Sequence, residues 1–224
     1  MQALALEPDN ALFLSRAAVR LMARNINGYP PVGTDDIAKC TELARRGLEH
    51  AAGDGGAMAC CGIALMQTAK EYDYGMEVLR SAVEINPNDF MVVAQMGVAS
   101  LHCGDIADAL TYFHRAIRLS PGDPLASLSL TGIAHAHMAQ GNYEEALQWA
   151  NRSRVLSVDF DPAYWMLIAA NAQLGRMEEA RRFLKEYQRH APGVTIANIK
   201  AGQPAKDPSR MANILEGLRL AGME

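Results

Sequence analysis

Histidine, cysteine, carboxylate and arginine are the side chains here that could ligate a metal, attack a substrate or hold an anion. Their spacing favours none of these roles. His135 and His137 stand two apart in a segment expected to be helical, about 200° around its axis, so they cannot share one ion. His102 beside Cys103 meets the same objection. Cys40, Cys60, Cys61 and Cys103 include an adjacent pair and no CxxC pair, so neither a disulfide framework nor a zinc site is indicated. They read as reduced, small apolar packers. The carboxylate pairs Asp35–Asp36, Glu144–Glu145 and Glu178–Glu179 all fall at expected helix starts, where the helix dipole accounts for them without acid–base work. Between Arg176 and Arg189 the chain is rich in arginine, but Glu178 precedes Arg182 by four residues, the spacing of a solvated, paired helix face. No serine or cysteine sits in a nucleophile motif, and NING at 25–28 lacks the preceding strand of a phosphate loop. The expectation is a protein that is not an enzyme and carries no cofactor and no metal.

Composition limits the partners. The 224 residues carry 21 basic and 25 acidic side chains, a net charge of −4 spread over mixed-sign segments. That balance argues against a nucleic-acid coat or a membrane-surface binder. No run approaches the roughly 20 apolar residues that span a bilayer. MQALALEPDN lacks the basic region and apolar core of a signal peptide, so a cytoplasmic location is expected. With half the residues apolar and 6% aromatic, helices are favoured over sheets.

The elements that position these side chains repeat. EINPNDF at 84–90 returns as RLSPGDP at 118–124, placing Pro87 and Pro121 34 residues apart. Gly104, Gly141 and Gly175 are spaced 37 and 34 residues apart, and each has an alanine five residues on, at Ala109, Ala146 and Ala180. Counting back 34 from Gly104 reaches Lys70, in a weaker copy. A glycine there closes one helix in the left-handed conformation, acidic residues start the next, and the alanine lets two helices cross closely. Proline then ends the second helix. Stripes such as Val93–Met96–Gly97–Ser100 and Leu110–Phe113–Ala116–Ile117 confirm the helical period.

Residues 90–123, with Gly97, Gly104, Ala109, Phe113, Ala116 and Pro121 in register, resemble the tetratricopeptide repeat. The resemblance implies an all-α, right-handed superhelical solenoid of antiparallel helix pairs. About five units are expected, near 11–54, 56–89, 90–123, 127–160 and 161–194, preceded by a partial helix at 1–8. Residues 195–224 read as a connector and a C-terminal capping helix, with Asp207 as cap, Pro208 in the first turn, Gly222 as stop, and Met211, Ile214, Leu215 and Leu218 as its apolar face. Leu4 and Leu6 point to something upstream in a longer chain. The tail EGLRLAGME and the insertion-bearing repeats are similar to the C-terminal repeat modules of bacterial class III adenylate cyclases and related multidomain regulators.

In that family the first helix of each pair lines a concave groove. The matching positions here are Cys60, Gln67, Met91, Val98, Leu101, His102, Leu128, Thr131, His135, Met138, Trp165 and Gln173, an apolar set with a few neutral hydrogen-bonding groups. The basic residues with which some family members clamp acidic chaperone tails are absent. The implied function is a protein–protein interaction scaffold binding a helical or extended segment, with Trp165 and His102 foremost. The partner is a protein or peptide, a domain of the same longer chain included. Three alternatives stay open: a regulatory or oligomerisation module of a signalling enzyme such as a cyclase, self-association through terminal helices, and a small-molecule sensor.

Overall fold

The computed structural model of the chain describes residue 4 and residues 6–158 and 161–224. Ten helices form five antiparallel pairs: α1 (Ala11–Ile26) with α2 (Asp36–His50), α3 (Gly55–Thr68) with α4 (Tyr72–Ile85), and α5 (Phe90–Cys103) with α6 (Ile106–Leu119). The series continues with α7 (Ala126–Ala139) and α8 (Tyr143–Leu156), then α9 (Asp161–Gln173) and α10 (Met177–His190). Among the described residues there is no strand. The expected partial helix at 1–8 falls largely outside the described residues; within it Leu4 packs on the first core cluster and Leu6 is exposed.

Local chemistry sets the joints. The side chains of Asn10, Asp35, Asp54 and Asp89 each accept a hydrogen bond from the backbone N–H three residues on and so start α1, α2, α3 and α5. Inside each of the last three pairs the turn is made by glycine at positive φ: Gly104 at 91°, Gly141 at 78° and Gly175 at 75°. The equivalent turn between α3 and α4 is made by Lys70 at φ 59°, the one described non-glycine residue in that region. The repeat therefore dictates this backbone shape even where the sequence supplies a side chain that resists it.

The helices of a pair play different parts. From the second pair on, the first helices are covered nearly all round, with eleven of the fourteen residues of α7 and eleven of the thirteen of α9 buried, whereas α1 buries four of sixteen and α10 four of fourteen. Phe113 of α6 shows how closely successive pairs stack. A Cβ added to Gly97 of α5 would lie 2.7 Å from its ring, and one on Gly132 of α7 would lie 2.3 Å away. The small residues are what let the ring fill the space between pairs.

The loop at 27–35 ties the two ends of the superhelix together. Tyr29 Oη donates to Asp161 Oδ2 of α9 at 2.5 Å, across 132 positions of chain. His190 Nε2 stands 3.3 Å from the other oxygen of Asp161. Arg24 Nη2 donates to the Pro30 carbonyl at 2.6 Å, and the Asp36 carboxylate accepts from the N–H groups of Val32 and Gly33, so the loop is held from both sides.

After α10 the chain turns back. Thr195 and Asn198 form a reciprocal capping box at the start of α11 (Ile196–Gly202). An extended stretch leads to a 3₁₀ turn (Pro208–Met211) and then α12 (Ala212–Leu220). The sequence reads this last helix as an end cap. In the structure α12 lies along α9 and α7, on the inner side of the superhelix, rather than stacked beyond α10.

Candidate functional site: the concave groove

From residue 202 to residue 218 the tail runs through the groove, meeting the first helix of four of the five pairs. Gly202 passes against the end of α1, where a Cβ would lie 2.4 Å from the Asn25 carbonyl oxygen, and Gln203 Nε2 donates to Ile26 O at 3.1 Å. The extended stretch then pairs with the end of α5. The N–H groups of Lys206 and Asp207 both donate to His102 O, at 3.0 and 3.3 Å, and His102 Nδ1 donates to Pro204 O at 2.8 Å. Lys206 Nζ adds an exposed ion pair with Asp73 at 2.6 Å. Asp207 accepts from Ser209 N at 2.9 Å and starts the 3₁₀ turn.

That turn delivers Arg210 into the groove, 2% exposed. Its Nη1 lies 3.1 Å from His135 Nε2, and its Nη2 lies 3.4 Å from His102 Nδ1 and 3.2 Å from Gln203 Oε1. The tautomers follow from these partners. His102 Nδ1 faces a carbonyl that can only accept, so it carries the hydrogen, and its Nε2 is the acceptor for the Gln67 amide at 3.4 Å. The Nη2 contact with that N–H is therefore not a hydrogen bond. His135 Nε2 faces the Arg210 carbonyl at 3.3 Å and by the same rule carries the hydrogen, which leaves Nδ1, 3.5 Å from Nη1, to accept from the guanidinium, so His135 too is neutral. Burial, reinforced by the Arg210 charge, holds both imidazoles well below the usual histidine range. Burial also brings the guanidinium down to about 10. Nε of Arg210 has no hydrogen-bond partner, and the ion pairs among the described residues give it no carboxylate within 4.0 Å.

Beyond Arg210 two hydrogen bonds lead into an apolar bed. Asn213 Nδ2 donates to Met138 O at 2.8 Å, and Gln173 Nε2 donates to Asn213 O at 3.0 Å, so the first turn of α12 is bonded to both α7 and α9. Met211, Ile214 and Leu218 are buried in the same cluster as Trp165 and Tyr187. At Gly217 the helices touch backbone to backbone: a Cβ there would lie 2.6 Å from both Cα and O of Ala169. Ile196 N donates to Glu224 O at 2.7 Å and closes the tail on itself.

The residues expected to line the groove divide accordingly. His102, His135, Met138 and Gln173 bond the tail directly, and Gln67 supports it through His102. Trp165 is 2% exposed inside the cluster that receives α12. Leu101 and Thr131 turn the other way: Leu101 packs with Ala109, Phe113 and Ile133, and Thr131 Oγ1 donates to Ser153 Oγ of α8 at 2.8 Å. Val98 and Leu128 pack between successive pairs, Met91 is half-buried beside Gln95, and Cys60 is buried. Arg210, Gln203, Asn213 and Gly217 are not among the sequence-derived candidates. The signal for them is that Arg210 and Gly217 share the stripe of Ile214 and Leu218, an arginine and a glycine on a face expected to be purely aliphatic.

Residues 100–170 match the tetratricopeptide repeat family profile. Among solved structures, the chain is similar to TTC0263, a thermophilic TPR protein of Thermus thermophilus, at 17% identity and TM-score 0.64, covering 82% of this chain and 92% of that one. It is similar to PilW, a type IV pilus biogenesis factor, at 20% identity and TM-score 0.61, covering 92% and 88%. A further similarity is to YrrB, a TPR protein with an unusual peptide-binding site, at 15% identity and TM-score 0.50, covering 86% and 92%. No curated protein matches the sequence.

The fold is a tetratricopeptide-repeat solenoid. In this solenoid no described helix is long and apolar enough to cross a membrane. Among the described residues no three histidine, cysteine or acidic side chains are grouped to hold a metal ion.

Proposed function

We propose that this TPR solenoid is a protein-interaction scaffold whose concave groove receives a helical or extended segment. The observation that carries the reading is the seated tail. One stretch of chain, part extended and part helical, is held there by backbone pairing to α5, polar anchors at His102, His135 and Gln173, and an apolar bed around Trp165. Those are the means by which repeat grooves take peptides in general. YrrB, similar in fold, is described as having a peptide-binding site, which agrees with this use.

Panning a displayed library of helical peptides against the chain, and against His102→Glu/Met138→Glu, tests the reading. A circular-dichroism melt first establishes that the double variant folds. Peptides that bind the native chain and lose the variant support the groove. Peptides that bind both equally place recognition on the convex face or the ends and overturn it.

A second reading, a regulatory module of a larger bacterial signalling enzyme such as an adenylate cyclase, is favoured by one feature. The groove is covered by a segment of its own chain, an arrangement that an attached domain can switch. A catalytic domain upstream in the same reading frame would support it.

A further inference from the structure

We propose that the partner segment is an arginine-led amphipathic helix, and that residues 203–220 hold the place of such a segment until it displaces them. The inference rests on the groove reading above and adds the chemistry of the ligand. The tail behaves as a ligand joined by a tether, so the features by which it is held are those a partner must reproduce.

The first feature is the arginine. His102 and His135 are buried and neutral, and His135 offers a ring nitrogen as acceptor to the guanidinium. A segment without a donor at that point leaves this nitrogen unpaired in a site that water does not reach, the most effective way for a pocket to reject a ligand. The second feature is the small residue seven positions on. Gly217 lies against the backbone of Ala169, so any larger side chain holds the helix off α9. The third is the aliphatic stripe at the positions of Met211, Ile214 and Leu218, all buried on docking.

The same site explains why the tail is exchangeable. Arg210 is buried with no carboxylate beside it and with Nε unpaired. A desolvated charge whose carboxylate, Asp207, acts only from beyond ion-pair distance offsets much of what its contacts contribute. The arginine therefore adds little net hold, and a free segment that makes the tail's other contacts has only to match the tether, whose effective concentration for a short linker is about millimolar. A partner segment of the same pattern that packs better than the tail wins at lower concentration.

The test uses a fluorescein-labelled peptide of residues 203–224 and the full chain. Gly217→Leu in the chain ejects its own α12. Polarisation then shows the variant binding the peptide at least about tenfold tighter than the native chain does, because the competing tail is gone. The peptide carrying Arg210→Ala binds at least about tenfold more weakly, the loss expected for a hydrogen bond to a charged group, and the peptide carrying Gly217→Leu does not bind. Should Gly217→Leu unfold the chain, the native chain serves. Unlabelled peptide at about 1 mM displaces about half the tail, seen as faster hydrogen exchange in residues 203–220 of the protein.

A folded variant with a protease-accessible tail that ignores the peptide overturns the proposal, as does a native tail unmoved at that concentration. Library peptides that bind the groove without regard to arginine overturn it too, while leaving the groove reading standing. If the library yields no groove binder but the tail peptide binds, the tail is a closed intramolecular plug. The groove reading and this proposal then both fall.

Discussion

Gly217→Ala separates a docked α12 from a free one, because the two cases have opposite signs. On a solvated helix, replacing glycine by alanine stabilises by about 1 kcal/mol, since glycine loses more backbone freedom on folding. In the groove the new Cβ lies 2.6 Å from Cα and O of Ala169 and 2.7 Å from its Cβ. Carbon–carbon contact is comfortable at about 3.5–4.0 Å, so α12 and α9 must part by about 1 Å. The atoms met are mostly backbone, at the buried Ala169, so no rotamer change relieves the contact. Overpacking of this kind costs about 1–3 kcal/mol. Set against the helix gain, it leaves a net loss of about 1 kcal/mol, limited above by the docking free energy of the tail, since α12 can leave rather than strain. For a chain of this length that is a Tm lower by about 2–4 °C, read by circular dichroism at 222 nm. A Tm raised by Gly217→Ala would refute the reasoning, because only a solvent-facing position 217 gains from the methyl group.

Other consequences are equally direct. Lys70→Gly relieves a left-handed lysine, so it is expected to stabilise by about 0.5–1 kcal/mol, reversing the usual sign of a substitution to glycine; a denaturant midpoint unchanged or lowered would contradict this. Acid should release the tail. His102 and His135, facing Arg210, Gln67 and the Pro204 carbonyl, have folded pKa values depressed below the unfolded value near 6.5. The unfolded or undocked state then binds more protons, stability is complete above that value, and it falls as pH drops through 6 toward 5. Tail proteolysis should rise over that range and flatten in His102→Gln/His135→Gln. Native thiols should be sluggish, because burial raises Cys40 to about 11 and Cys61 to about 12. Mass spectrometry after brief maleimide labelling at pH 7 should find Cys103, half-buried, modified first.

The solenoid was legible because its joints are local. A glycine that must adopt positive φ, a capping carboxylate and a closing proline act over a few residues and recur at fixed intervals. Even Lys70, found by counting from Gly104, proved to occupy the glycine conformation. Of the inner-helix positions read from the same register, His102, His135, Met138 and Gln173 bond the tail, while Leu101 and Thr131 face away from it. What a register cannot supply is the partner across the groove. The apolar stripe of α12 fits an end cap as well as an inner surface, and choosing between them depends on Gly217 meeting Ala169, 48 positions away. Arg210 was hidden for a related reason: an arginine beside Met211 reads as solvated until two histidines more than 70 positions upstream are seen to enclose it. Tyr29 and Asp161, tied across 132 positions, carry no local pattern at all.

Whether the tail lies in the groove is tested most directly by site-resolved hydrogen exchange of the native chain at pH 7.5. The N–H groups of Lys206 and Asp207, bonded to His102 O, and those of α12 from Ile214 to Leu218 should exchange slowly, within the range seen for α7 and α9. If residues 203–220 exchange as fast as an unstructured peptide while α3 to α9 stay protected, the groove is open and the account of its occupant is wrong.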